Sequence, residues 1–269
     1  MIDLHSHLLP GIDDGSPDLE HSLAMARLAV ADGITIQACT PHIFPGVYNN
    51  MGADIRQRVE LLQLALDEAS IPLHLVAGAD VHITPNLVQK LHAGEALSLY
   101  DSRYVLLETP HHVLPPRTED TFFELLNAGF VPILTHPERM SWIDRHFDLV
   151  RRLVQAGAWM QLTAGALLGN FGSKPRYWSE RMLDEGMFHI VATDAHDVER
   201  RPPRLRDAFE VLCRRVGEAE ALNLVSHRPY GILENQPTSA FPAPPVSSTM
   251  AAGPDDSLLR RLAALWRRT

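Results

Sequence analysis

His5 and His7 are separated by a single residue. On an extended strand, side chains alternate between faces, so this spacing puts both imidazoles on the same side. Asp194-Ala195-His196 repeats the arrangement with a carboxylate and an imidazole. Paired nitrogen and oxygen donors of this kind are what one divalent cation requires. Further donors of the same type are His42, Asp80, Glu108 and His136. Neutral His together with Asp or Glu suits Zn, Mn or Fe, and the lack of thiolate ligands argues against a structural zinc site. An isolated H-x-H is uninformative because any large protein contains one by accident. The information lies in the whole set.

What would gather these residues is a repeating α/β pattern. Apolar runs predict strands over Ile2–His5, Ile34–Cys39, Leu73–Ala77, Tyr104–Leu107, Val131–Thr135, Trp159–Leu162 and His189–Ala192. Helical spacing appears in Leu19, Leu23, Ala26 and Val30 after Ser16-Pro17, a good N-cap and first-turn pair. It recurs in Ile55, Val59, Leu62 and Leu66, then around Phe122 to Leu126 and Leu149 to Val154. Several of these helices run into glycine: Gly33, Gly129, Gly157 and Gly186. Strands that each precede a helix imply a parallel sheet, either a closed barrel or an open doubly wound sheet. In both, the carboxyl ends of the strands share one face. His5 and His7 end the first strand, His42 follows the second and Asp80 the third. Glu108 ends the fourth, His136 follows the fifth, and Asp194 and His196 follow the seventh.

Other residues are secondary candidates. Asp13 and Asp14 lie in G-I-D-D-G, where Asp commonly makes a turn; Asp14 is read as a ligand and Asp13 as a turn residue. Arg139, in T-H-P-E-R, and Arg201, in E-R-R-P-P-R, each follow a candidate ligand closely. A guanidinium there suits a phosphate oxyanion; the alternative for Arg139 is an ion pair with Glu138 or Asp144. His111 and His112 are read as solvated loop residues, and His21, His74, His82, His92, His146, His189 and His227 as surface or structural.

The formal net charge of −9 disfavours a nucleic-acid partner for the body of the protein. Two cysteines make no disulfide framework, no run approaches the roughly 18 apolar residues of a membrane span, and M-I-D-L-H-S-H lacks the features of a signal peptide. The chain reads as cytoplasmic. Neither Cys39 nor Cys213 begins a cysteine-phosphatase loop, and P-loop, H-E-x-x-H, G-x-S-x-G and G-x-G-x-x-G motifs are missing. From Gln236 to Pro254 five prolines with Ser, Thr and Ala predict a flexible linker.

M-I-D-L-H-S-H-L-L-P-G-I-D-D-G, T-P-H, G-A-D-V, L-L-E, T-H-P-E-R and T-D-A-H-D-V-E-R-R-P-P resemble the polymerase-and-histidinol-phosphatase superfamily. Within it, the chain is similar to the manganese-dependent bacterial protein-tyrosine phosphatases of capsular and exopolysaccharide operons. The likeness runs from Met1 to about Asn235.

The resemblance implies a distorted seven-stranded β/α (TIM-like) barrel over residues 1–235; the tail lies outside it, and composition alone predicts the linker over 236–256 and a short basic amphipathic segment over 257–269. The resemblance also implies three divalent ions, manganese by family habit, with iron or zinc as alternatives. His5, His7, Asp80 and Asp194 would hold the first, Asp14, His42 and His196 the second, and Asp80, Glu108 and His136 the third. Asp80 departs from the family's usual Glu at the bridging position. The implied reaction is phosphotyrosine hydrolysis by metal-activated water, with Arg139 and Arg201 on the phosphate. The implied substrate is the phosphorylated tail of a bacterial tyrosine kinase. A small-molecule phosphatase acting on histidinol phosphate is the enzymatic alternative, and a catalytically silent docking scaffold the non-enzymatic one. Membrane-surface contact by Leu258, Leu262, Leu265 and Trp266 with their flanking arginines, and homo-oligomerisation, are expectations the sequence leaves open.

Overall fold

The computed structural model describes residues 1–246 as short parallel strands alternating with α-helices. The strands are β1 (Ile2–Asp3), β2 (Ile36–Cys39), β3 (His42–Ile43), β4 (His74–Ala77), β5 (Asp80–His82), β6 (Tyr104–Glu108), β7 (Val131–Thr135), β8 (Trp159–Thr163) and β9 (Ile190–Ala192). The helices are α1 (Leu19–Asp32), α2 (Gly52–Glu68), α3 (Leu87–His92), α4 (Thr118–Asn127), α5 (Ile143–Gln155), α6 (Ala164–Leu168), α7 (Ser173–Asp184), α8 (Arg206–Val216), α9 (Glu218–Leu222) and α10 (Arg228–Leu233). The strands form two parallel sheets, in the orders β1-β2-β4 and β3-β5-β6-β7-β8-β9.

Every predicted strand is present, but the second and third stretches are longer and broken. β2 and β3 are separated only by Thr40-Pro41, and β4 and β5 only by Gly78-Ala79. Pro41 has no N–H to give a ladder, and Gly78 can adopt a close jog that a larger residue would resist. A Cβ on Gly78 would sit 3.0 Å from Leu99 and 3.1 Å from Thr40. The jogs carry His42 and Asp80 into the second sheet, where they face each other in register.

Strand alternation explains which residues point inward. Tyr104 and Leu106 of β6 enter an inner apolar cluster with Ile2, Leu4, Ala38, Ile133 and Ile190, whereas Val105 and Leu107 pack against the helices. Glu108 is next on the inner face, so the same period that buries Leu106 aims its carboxylate into the strand-end face. Burying one such leucine contributes about 1.5–3 kcal/mol relative to leaving it exposed, which fixes register strongly. Two backbone hydrogen bonds join the first and last strand ends: Asp194 N–H to His5 O and His7 N–H to Ala195 O, both 2.8 Å.

Two local expectations change. The N-cap of α1 is Asp18, whose side chain accepts the His21 N–H, while the Ser16 hydroxyl donates to Asp18 O. The stretch from Gln236 to Pro245 is not a free linker. Arg228 donates to Pro242 O at 2.9 Å, Tyr104 Oη donates to Gln236 O at 2.8 Å, and Phe241 packs 5.4 Å from the Trp159 ring. One aromatic residue in a Pro-rich run is enough to anchor it. The amphipathic segment expected over 257–269 lies outside the described residues.

Candidate metal centre

All nine expected ligands come together at the carboxyl ends of the strands. His5 Nε2 lies 3.3 Å from His7 Nε2, 3.3 Å from Asp194 Oδ1 and 3.4 Å from Asp80 Oδ2. His7 Nε2 is 3.4 Å from the same Asp194 oxygen. Asp14 Oδ1 stands 3.4 Å from His42 Nε2 and 3.5 Å from His196 Nε2. Glu108 is 3.3 Å from His42 Nδ1 and 3.6 Å from His136 Nε2. These separations are long for hydrogen bonds. They match donors that each sit roughly 2.0–2.2 Å from a shared cation and therefore stand about 3 Å or slightly more apart.

Hydrogen bonds at the back of the imidazoles fix their tautomers. His5 Nδ1 lies 2.9 Å from Gln161 Oε1, His7 Nδ1 2.7 Å from Asp13 Oδ2, and His196 Nδ1 2.9 Å from Asp194 O. Those oxygens accept, so the proton sits on Nδ1 and each Nε2 lone pair points into the centre. Asp80 supplies the sharpest test of fit. It is fully buried, and neither carboxylate oxygen has a hydrogen-bond partner. A buried carboxylate that accepts no hydrogen bond is costly in a protein interior. The donor set therefore fits divalent cations: His7, Asp14, His42 and His196 form one close group, His5, His7 and Asp80 another, and His5, His136 and Asp194 a third.

Residues 1–234 match the family described as capsular polysaccharide synthesis, CpsB/CapC. The chain belongs to the CpsB/CapC family. It is similar to the tyrosine-protein phosphatase YwqE of Bacillus subtilis, 37% identical over 246 residues that cover 91% of this chain and 96% of YwqE. A putative tyrosine-protein phosphatase CapC of Staphylococcus aureus is 32% identical over 209 residues, covering 78% of this chain and 82% of CapC. Among solved structures, one described as YwqE from Bacillus subtilis and CpsB from Streptococcus pneumoniae, unique metal-dependent tyrosine phosphatases, superimposes with a TM-score of 0.86. It is 36% identical and covers 92% of this chain and 99% of its own.

The electrostatics of this CpsB/CapC centre favour cations. Burial alone would lower His5, yet the carboxylates of Asp194 and Asp80 outweigh it and lift the imidazole to about 9. His42 is likewise lifted to about 10 against burial by Asp14, Asp80 and Glu108. A potential that draws protons onto two imidazoles draws divalent ions equally, and binding would displace those protons. His196, by contrast, is lowered to about 4 by burial and by His7.

Arg139 and Arg201 sit beside the centre, and both guanidinium groups pair with Oδ2 of Asp194. Arg139 is not paired with Glu138, whose carboxylate accepts the Thr163 N–H, nor with Asp144, which is held by Lys174 and Trp178. Arg139 also packs over the Phe171 ring at 4.3 Å, with Arg201 at 6.0 Å. The Arg201 Nε is buried without a partner. His136 and Asp194 both adopt left-handed backbone, with φ of 37° and 52°. Such conformations are unusual for non-glycine residues and turn both side chains across the strand ends.

Several neighbours were not singled out by the sequence pattern. Asp13 is no mere turn residue, because its carboxylate accepts from His7 and from the backbone N–H of Gly15 and His42. His82, read as surface or structural, lies 2.6 Å from Glu108, and the loop residue His111 lies 3.2 Å from it. Both extend the donor cluster around Glu108. Gln161 carried a usable signal: it is a polar residue inside the apolar run Trp159–Leu162.

Proposed function

We propose that this chain is a metal-dependent protein-tyrosine phosphatase. The observation that carries the reading is the Asp80 carboxylate, buried with both oxygens unpartnered at the centre of the His/Asp/Glu cluster. Family membership and the tyrosine-phosphatase relatives support it. The fold is read as a distorted seven-stranded β/α barrel, with β2–β3 and β4–β5 each counted as one kinked strand. The Ser6–Ala195 bridge supports that reading by linking the first and last strands.

His5, His7, Asp14, His42, Asp80, Glu108, His136, Asp194 and His196 would hold three divalent ions, manganese by analogy with the family. When bound, such ions neutralise phosphate charge and lower the pKa of water from about 15.7 toward about 7. Arg139 and Arg201 would orient the phosphate and stabilise its spreading negative charge. The buried, unpartnered Arg201 Nε supports this role, since it is a donor without an acceptor. Phosphotyrosine releases a phenolate of pKa near ~10. It departs more readily than an alkoxide, so a strong proton donor on the leaving-group side is less necessary. The substrate would be a phosphotyrosine segment of a bacterial tyrosine kinase in the cytoplasm. No helix among the described residues is long and apolar enough to cross a membrane.

Metal analysis of purified protein, coupled to phosphate release from a phosphotyrosine peptide and from histidinol phosphate, tests the reading. Chelator should abolish peptide hydrolysis and thiol alkylation should spare it, because Cys39 is buried with its thiol pushed up by burial. Full activity in chelator, or preference for histidinol phosphate, would overturn it.

A further inference from the structure

Beside Arg201 the surface opens into a cavity of about 370 Å3, within the range of ligand pockets (about 300–1,000 Å3). Arg201 and Phe171 line it, so it begins at the same guanidinium that pairs with Asp194. Arg200 and Arg204 also line it. The turn that presents them is fixed by Asp197, whose Oδ1 accepts the N–H groups of Glu199 at 2.7 Å, Arg200 at 2.5 Å and Arg201 at 3.2 Å.

The charges at this rim are uncommitted. Several exposed arginines elsewhere in this acidic chain pair with carboxylates, Arg117 with Asp120, Arg176 with Glu180 and Arg152 with Glu119, whereas the two at this rim do not. Among the described residues, the side chains of Arg200 and Arg204 make neither an ion pair nor a hydrogen bond, although Glu199 and Asp207 line the same cavity. A phosphate held by Arg139 and Arg201 would bring the adjoining peptide residues to the mouth of this cavity. We infer that the cavity is a subsite for residues next to the phosphotyrosine, and that Arg200 and Arg204 select an acidic side chain there. The inference rests on the phosphatase reading above.

The test uses full-length, manganese-loaded protein and three phosphotyrosine peptides that differ only in carrying Glu, Gln or Lys around the phosphotyrosine. KM should be lowest for the Glu peptide and highest for the Lys peptide. The double variant Arg200→Gln, Arg204→Gln should raise KM for the Glu peptide roughly 3- to 10-fold, the scale of two exposed ion pairs, and leave the Gln peptide unchanged. Raised salt should shrink the preference in the unsubstituted protein. Hydrolysis of p-nitrophenyl phosphate, which puts nothing in the cavity, is the control. Equal KM for the three peptides, or a preference that survives in the double variant, would overturn the inference. No phosphate release from any substrate would overturn the phosphatase reading, and the inference with it.

Discussion

Oδ2 of Asp13 lies 2.7 Å from Nδ1 of His7, and the same oxygen accepts the His42 N–H at 3.0 Å. One carboxylate thus fixes the orientation of one candidate ligand and the backbone of another. Removing such a partner typically costs 10–100-fold in metal affinity, by the usual range of about 10 to about 100. Asp13→Ala should therefore weaken metal binding by roughly that factor, and excess metal should restore much of the turnover. Equilibrium dialysis of the variant checks it. An affinity unchanged from the unsubstituted protein would mean that Asp13 only shapes the turn.

Asp80 lies between two donor groups, with Oδ2 3.4 Å from His5 Nε2 and 3.5 Å from His42 Nδ1. If it bridges cations, Asp80→Ala should lower metal stoichiometry and nearly abolish hydrolysis, whereas Asp80→Glu should keep measurable activity. Metal should also add more to the Tm of the unsubstituted protein than to that of Asp80→Ala, because binding to the folded state alone stabilises it. Unchanged stoichiometry, or an equal metal-induced gain in Tm, would refute the bridging role.

Arg139→Ala and Arg201→Ala should each lower kcat/KM on the order of 10²-fold, the usual cost of one oxyanion-stabilising group, while retaining metal. Because both guanidiniums pair with the same oxygen of Asp194, either alone still positions that carboxylate. Metal content measured alongside the kinetics separates the two roles. Loss of metal in proportion to loss of activity would make the arginines supports for Asp194 rather than partners of phosphate.

The sequence was most informative where chemistry and periodicity coincide. His5, Glu108, His136 and Asp194 were legible as candidate ligands because each ends an apolar run, and a parallel fold brings run ends to one face. Asp13 was not legible. A turn carboxylate and one that orients a histidine look identical in G-I-D-D-G until the loop is folded back on His7. His82 escaped because the jog at Gly78-Ala79 lengthens the third strand beyond its apolar stretch, and only that extension brings it to Glu108. For the arginines the sequence favoured a phosphate and gave no sign of their pairing with Asp194. Asp194 is 55 residues from Arg139 in the chain, a separation no local pattern encodes. Phe241 likewise escaped the composition argument, since its ring packs the described start of the proline-rich stretch against Trp159.

Away from the metal centre, His189 makes acid stability predictable. It is buried against the Trp159 ring, 4.9 Å between centroids, and the Met160 N–H donates to its Nδ1 at 3.2 Å. Nδ1 is therefore an acceptor, and protonating it would break that hydrogen bond. Burial, reinforced by the nearby Arg228 charge, pulls the imidazole down to about 3. In the unfolded chain the same group has a pKa near ~6.5. Between these values the unfolded state binds a proton that the folded state refuses. The stabilisation is thus complete above about pH 6.5 and lost as pH falls toward about 3, at about 1.4 kcal/mol per pH unit. His189→Asn keeps an acceptor for Met160 and removes the titration. Urea unfolding at fixed metal concentration should show the unsubstituted chain losing about 1–2 kcal/mol more than His189→Asn between pH 7 and about pH 5. At pH 7 the variant should be the less stable of the two, having lost the Trp159 contact. Parallel stability curves for the two proteins across that range would show that His189 does not carry the acid sensitivity.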